Sequence, residues 1–222
     1  MKDLLLCGMP QAGKTRIASV LSNFVYVGPY QQTSCDEHTI PLSGDILKAI
    51  PDAFGSWEYQ DLGGTKLYDA NAYGQYIRES RNVVFVFNGF DFLNELKNYK
   101  EGGAISTMLT FYVLSQYKNL IKTDNLIFVA THADLHQGDL KKEILSRLKT
   151  ANKEYREFLG ENIDRYVYAD LFNMRDRFYC IDARDKEQVK DTFKRIITYA
   201  YAKGFNRGNI DLYKNTENKK VD

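Results

Sequence analysis

Four short apolar runs, separated by segments with helical spacing, constrain the fold of this chain most. Each run is continuous rather than alternating, which is typical of strands covered on both faces, as in a parallel sheet. The segment 14–24 has helical spacing, and after Asp185, a helix-capping residue type, Val189, Phe193 and Ile196 recur on one helix face. The apolar runs are 4–7, 83–87, 126–130 and 178–181. We therefore predict an α/β domain with a doubly wound, mostly parallel sheet and helices on both faces.

Length and charge limit the classes of protein to consider. A chain of 222 residues suits one well-buried domain, and nothing in its pattern requires a second. Its 30 Lys and Arg nearly balance its 29 Asp and Glu. This balance lacks the basic excess of nucleic-acid-binding proteins, so we expect no nucleic-acid partner. Cys7, Cys35 and Cys180 are far apart and form no C-x-x-C pair, which indicates reduced thiols in a cytoplasmic protein.

The ends of the chain and its apolar runs carry no sign of a membrane anchor. No run approaches the roughly 18 apolar residues that a membrane span needs. The apolar start is too short for a signal peptide, and neither end has a lipidation motif. The stretch 204–222 is polar and patternless, which is typical of a tail or linker. We expect a cytoplasmic protein with one domain, residues 1–203.

A glycine-rich motif lies directly between the first apolar run and a helical segment. From Gly8 to Thr15 the chain fits G-x-x-x-x-G-K-[ST], a phosphate-binding loop in its required context. Backbone N–H groups and the helix N-terminus would form an anion nest, Lys14 would reach the terminal phosphates, and the Thr15 hydroxyl would bind magnesium. A glycine-rich turn with a chance lysine is the alternative, which the flanking strand and helix disfavour. The predicted phosphate-binding residues are Gly8, Gln11, Ala12, Gly13, Lys14, Thr15 and Arg16.

A polar group follows the third apolar run and could identify the base of a nucleotide. Ligands of open α/β sheets bind outside the carboxyl ends of the strands, where Thr131, His132 and Asp134 would lie. A carboxylate can accept hydrogen bonds from the ring N–H and the exocyclic amine of guanine, a donor pair that adenine lacks. We therefore predict that Asp134 binds guanine, that His132 stacks on the base, and that the Thr131 hydroxyl ties this segment to the phosphate loop. The alternative is a polar turn that closes a core strand.

Together these motifs resemble the signature set of Ras-superfamily small GTPases. The phosphate loop, the Asp-Leu-Gly-Gly stretch from Asp61 and the Thr-His-Ala-Asp stretch from Thr131 follow the family's order over roughly residues 1–200. The resemblance implies a P-loop GTPase fold that binds GTP or GDP with Mg²⁺. The double glycine after Asp61 is similar to Arf proteins, Thr-His-x-Asp resembles the Roc domains of Roco proteins, and 32–34 is similar to the β subunit of the signal-recognition-particle receptor. No single subfamily is indicated.

The resemblance also implies a magnesium and γ-phosphate site. Asp61 matches the aspartate that holds magnesium through water, and the N–H of Gly64 matches the donor to the γ-phosphate. Two threonines are candidates for the remaining magnesium ligand. Thr33 lies 18 residues past Thr15, a spacing similar to Ras proteins, whereas Thr39 lies closer to Asp61. Loop length favours Thr33, which makes Thr39 an ordinary strand threonine.

Two more parts of the site come from the resemblance. Residues 182–184 occupy the place of the family's Ser-Ala-Lys box, so Ala183 would supply an amide to the guanine oxygen, with Arg184 beside it. Asp182 departs from the family's serine. Thr65 stands where the family commonly has a water-orienting glutamine, and its shorter side chain predicts slow hydrolysis. The predicted catalytic group is Thr65 with Lys14 and Gly64.

We expect a partner to complete the catalytic site and accelerate hydrolysis, and an arginine of this chain is the minority alternative. Arg78 and Arg81 are the candidates, although both suit the solvated face of a helix before the second apolar run. An aromatic-rich insertion near 151–176 separates Asp134 from Ala183. We expect that insertion to add a helix packed on the domain, a commoner role than a partner site.

Three functions fit the sequence. The first is a GTP-dependent switch, whose loops would bind protein effectors and regulators in the GTP state. The second is a GTP-binding scaffold with little or no turnover. The third, a P-loop kinase for a small molecule, is disfavoured because no arginine-rich lid segment follows Asp134.

Overall fold

A computed structural model describes residues 2–22, 35–41, 56–62, 70–98, 126–147 and 177–200. For 35–41, 56–62 and 70–73 the description covers the backbone alone. Several predictions fall outside the described residues: those on Thr33, Gly64, Thr65, the insertion near 151–176 and the tail 204–222.

The strands of the described residues form one mixed sheet of six. They are β1 (Lys2–Gly8), β2 (Cys35–Pro41), β3 (Ser56–Leu62), β4 (Ser80–Asn88), β5 (Leu126–Thr131) and β6 (Phe178–Cys180). Their order is β2-β3-β1-β4-β5-β6. β2 pairs antiparallel with β3, and every other neighbouring pair is parallel. The predicted α/β class with a mostly parallel sheet is confirmed, and the antiparallel edge strand is an addition to it.

Three of the described helices begin at a residue whose side chain caps them. The helices are α1 (Lys14–Leu21), α2 (Ala70–Arg78), α3 (Gly89–Asn98), α4 (140–147 within the described residues) and α5 (186–200). Asn88 and Asp139 accept backbone N–H groups at the starts of α3 and α4. Asp185 Oδ1 accepts the N–H groups of Glu187 and Gln188 at 3.0 and 3.1 Å, so the predicted cap is confirmed. α1 ends at Leu21, before the predicted end of that helical segment.

Helices cover both faces of the sheet, which explains the continuous apolar runs. On one face Leu4 and Leu6 of β1 join a core cluster with residues of α1 and α5. On the other face the Phe87 ring of β4 meets the Phe92 ring of α3 edge to face, with centroids 5.4 Å apart. Successive side chains of a strand point to opposite faces, so a strand buried on both sides must be apolar at every position.

Arg81 corrects one prediction. It lies in β4 rather than on a helix, and its guanidinium is 3.7 Å from Asp3 Oδ1 with its side chain 64% exposed. Arg78 does end α2, and its Nε donates to the carbonyl of Gly74. Among the described helices, none is both long and apolar enough to cross a membrane.

Candidate functional site

The segment between β1 and α1 folds back at the carboxyl end of β1. Gly8, Gln11 and Gly13 have positive φ angles of 136°, 57° and 83°. A Cβ on Gly8 would lie 1.9 Å from the carbonyl oxygen of Val86, so β4 leaves space only for glycine. The N–H of Met9 donates to that same oxygen at 2.9 Å, which fixes the start of the loop against β4.

Lys14 is the first residue of α1, and its side chain folds back over the loop. Its Nζ donates to the carbonyl oxygens of Gly8 at 3.2 Å and Met9 at 2.8 Å, and the residue is only 7% exposed. A helix N-terminus already carries partial positive charge, and the first turn of α1 contains no acidic residue. This arrangement concentrates positive charge where backbone N–H groups are also available, a combination that suits an anion.

Arg16 adds a second cation to the first turn of α1. Its Nε is buried and has no hydrogen-bond partner among the residues that the structure describes. A buried donor without a partner costs roughly 1–3 kcal/mol, so a polar ligand here would relieve that cost. The phosphate-loop motif predicts a role for the backbone N–H of Arg16 but not for this side chain. The available signal was a basic residue directly after the phosphate-loop motif.

Thr131, at the end of β5, joins the loop between β1 and α1 to the neighbouring strand β4. It is fully buried, and its Oγ1 lies 2.9 Å from the carbonyl oxygen of Ala12 and 3.1 Å from that of Phe87. The predicted tie between this threonine and the phosphate loop is therefore present. A hydroxyl has one proton, so it donates to one of these carbonyls at a time.

The loops that follow β1, β5 and β6 pack directly against one another. A Cβ built on Gly13 would lie 3.5 Å from the Cβ of Ala183 and 3.8 Å from Cγ2 of Thr131. Three predicted site segments, far apart in sequence, are thus brought together at one edge of the sheet. This edge is the one at which ligands of α/β proteins bind.

The turn that carries Asp134 is held between β5 and β6. His132 has the left-handed angles φ 61° and ψ 34°, and its Nδ1 is 2.9 Å from the Thr131 hydroxyl. The N–H of Ala133 donates to the carbonyl of Ile181 at 3.2 Å, at the start of the 3-10 turn Ala133–Leu135. A left-handed non-glycine residue costs about 1–2 kcal/mol, a strain that the surrounding hydrogen bonds must outweigh.

Asp134 forms an ion pair with Arg184 from the loop after β6. Arg184 Nη2 donates to Asp134 Oδ2, and its Nε donates to Asp182 Oδ1 at 3.2 Å. The backbone N–H of Arg184 donates to the same Asp182 oxygen at 2.9 Å. Partial desolvation raises the pKa of Asp182, but these hydrogen bonds from Arg184 outweigh it and bring the net pKa below its ordinary value. The predicted base-binding residues Asp134 and Arg184 thus lie together. Asp182, at the position where the resemblance implies a serine, also accepts a hydrogen bond from Arg184.

The predicted magnesium residues are only partly described. Thr15 is the second residue of α1, and Asp61 lies near the end of β3 opposite Leu6 of β1. Thr39 lies in β2 opposite Glu58 of β3, which agrees with its expected place in a strand. No cluster of three or more His, Cys, Asp and Glu suited to a metal occurs in the part of the chain that is described.

Comparison with protein-family models and with curated proteins finds no match to this chain.

Proposed function

We propose that this chain is a guanine-nucleotide-binding switch with a P-loop GTPase fold, which binds GTP or GDP with Mg²⁺ and hydrolyses GTP slowly. The hydrogen bond from Thr131 to Ala12 carries the proposal, because it places the candidate base-binding turn beside the candidate phosphate loop. The sheet supports it, since the strand order divides at β1, with β3 and β2 on one side and β4, β5 and β6 on the other. Ligands of α/β sheets bind at such a division.

The phosphates would bind at the start of α1. Backbone N–H groups of Gln11, Gly13 and Lys14 would donate to them, while the Lys14 ammonium and the Arg16 guanidinium, whose Nε is buried, would supply positive charge. Magnesium, when bound, neutralises charge on the phosphates. The Thr15 hydroxyl, with Asp61 through water and Thr33, would hold the ion.

The base would bind at the loops after β5 and β6. The Asp134 carboxylate would accept hydrogen bonds from the ring N–H and exocyclic amine of guanine. The N–H of Ala183 would donate to the guanine oxygen, and His132 would stack on the ring. Ala183 already packs near the phosphate loop at Gly13, so one nucleotide can reach both groups of residues.

Hydrolysis would depend on positioning water beside the γ-phosphate. We assign the Gly64 N–H to the γ-phosphate and Thr65 to the attacking water. The short Thr65 side chain reaches less far than an amide, so we expect intrinsic turnover no faster than on the order of 10⁻⁴ per second. Protein effectors and regulators would act through the loops around Thr33 and Gly64. A GTP-binding scaffold without turnover is the second candidate, favoured by the same threonine.

Replacement of Asp134 by asparagine tests the base assignment. Asp134→Asn should weaken GDP binding by on the order of 2–4 kcal/mol, because a charge-assisted pair is lost, and should admit xanthosine diphosphate. Affinities for GDP, xanthosine diphosphate and ADP would be measured by titration. Asp139→Asn is the matched control, since asparagine also caps a helix such as α4. Unchanged GDP affinity in Asp134→Asn would refute the guanine assignment.

A further inference from the structure

We propose that Arg184 is a positioning residue that sets the guanine-binding geometry of Asp134 by bridging it to Asp182. This inference rests on the proposed function and names a specificity device within that site. Three residues define the bridge: Asp134 after β5, and Asp182 and Arg184 after β6.

The guanidinium of Arg184 contacts both carboxylates, and its Nη2 is shared between them, because Nη2 also donates to Asp182 Oδ2 at 3.4 Å. Nη2 donates to Asp134 Oδ2 and Nε donates to Asp182 Oδ1. A planar guanidinium has a fixed fork of donors, so contacts at both ends fix its plane and the position of each carboxylate. Each carboxylate oxygen has two lone pairs, so Asp134 Oδ2 can accept from Arg184 and still accept from a base.

The bridge is anchored at the start of α5. The N–H of Asp182 donates to Gln188 Oε1 at 2.5 Å, and the N–H of Arg184 donates to Asp182 Oδ1 at 2.9 Å. These contacts fix Asp182 to its own loop and to the first turn of α5. Asp134 is therefore oriented by a rigid element of β6 and α5 as well as by its own turn.

The positive charge of Arg184 offsets the repulsion between the Asp134 and Asp182 carboxylates. Two carboxylates that both reach one guanidinium repel each other, and Asp134 has only 21% of its side chain exposed to solvent for screening. Arg184 supplies the compensating charge between them. Without it, the repulsion from Asp182 would turn Asp134 away from the orientation that guanine requires.

A double-mutant cycle on GDP affinity tests the inference. Arg184→Ala should weaken GDP binding roughly three- to tenfold in the parent and have no effect in the Asp134→Asn background, because its action passes through Asp134. Arg184→Lys should restore only part of the affinity, since an ammonium is a point charge and cannot fork. Arg147→Ala is the matched control, because Arg147 also pairs with a carboxylate, that of Glu143 one turn earlier on α4. Thermal unfolding of each variant reports whether the fold is intact.

The possible results distinguish a failure of the Arg184 bridge from a failure of the proposed function. Equal weakening by Arg184→Ala in both backgrounds would mean that Arg184 contacts the nucleotide directly, which overturns the bridge. Unchanged or tighter GDP binding in Arg184→Ala would overturn it too, the latter by showing that Arg184 competes with the base. If Asp134→Asn alone leaves GDP affinity unchanged, the proposed function fails. If Asp134→Asn weakens GDP binding but Arg184→Ala has the same effect in both backgrounds, only the bridge fails.

Discussion

At the scale of single residues, Thr131 links the loop after β1, strand β4 and the turn after β5. Its hydroxyl lies between the carbonyls of Ala12 and Phe87, and His132 Nδ1 approaches the same oxygen. Because Thr131 is fully buried, water cannot replace these contacts. The loop after β1 and the turn after β5 therefore keep their relative position through one side chain.

Replacement of that hydroxyl by a methyl group should separate the two loops. Thr131→Val preserves the shape but removes the one proton that the hydroxyl donates to these buried carbonyls, so we expect a loss of about 1–3 kcal/mol in unfolding free energy and weaker GDP binding. Urea unfolding and GDP titration would measure both. Thr198→Val is the control, because the Thr198 hydroxyl donates to the Lys194 carbonyl one turn earlier on α5. Equal stability of the two variants would contradict the role given to Thr131.

At the scale of elements, the pairing of β1 with β4 determines how the candidate phosphate loop begins. Gly8 pairs with Val86 across these parallel strands, and the neighbouring Met9 N–H bonds to the Val86 carbonyl. The backbone of β4 thus occupies the space into which any side chain at position 8 would point. The loop geometry depends on the contact between two strands as well as on its own sequence.

Substitution of Gly8 should therefore disturb the sheet itself. A methyl group would lie 1.9 Å from the Val86 carbonyl oxygen, so Gly8→Ala should lower the unfolding free energy by about 3 kcal/mol or more. Gly138→Ala is the control, since Gly138 also has a positive φ, 117°, but its Cβ would come no closer than 3.9 Å to His136 Nε2. That control should cost only about 1–2 kcal/mol of backbone strain. Similar losses for both, measured by urea unfolding, would argue against the steric explanation.

At the scale of the whole molecule, the site joins segments from both ends of the described chain. The loops after β1, β5 and β6 meet at Gly13, Thr131 and Ala183. A nucleotide that touches all three would be bound only when the sheet is assembled. Binding free energy should therefore appear as stability of the entire fold.

Ligand-linked unfolding checks this expectation. GDP at a hundred times its dissociation constant should raise the unfolding free energy by about 2.7 kcal/mol. Lys14→Ala should abolish this rise, because the ammonium over the loop is lost, whereas Lys190→Ala, which removes an exposed partner of Glu187 on α5, should retain it. Absence of any shift in the parent protein would count against nucleotide binding at this site.

The sequence by itself determined the features with local causes. Strands β1, β4, β5 and β6 could be predicted because burial on both faces requires unbroken apolar runs, and the start of α5 because Asp185 caps its own neighbours. The phosphate-loop motif could be recognised in the sequence because its turn and the following helix N-terminus involve consecutive residues.

Only the tertiary structure decided the long-range contacts. Arg81 lies in a strand, the edge strand β2 runs antiparallel, and Arg16 Nε is buried, all of which depend on neighbouring elements rather than on adjacent residues. The bond from Thr131 to Ala12 spans 119 positions and the pair of Arg184 with Asp134 spans 50. Such partners meet only after β1, β5 and β6 take their places in one sheet, because strand order, not spacing along the chain, brings their carboxyl ends together.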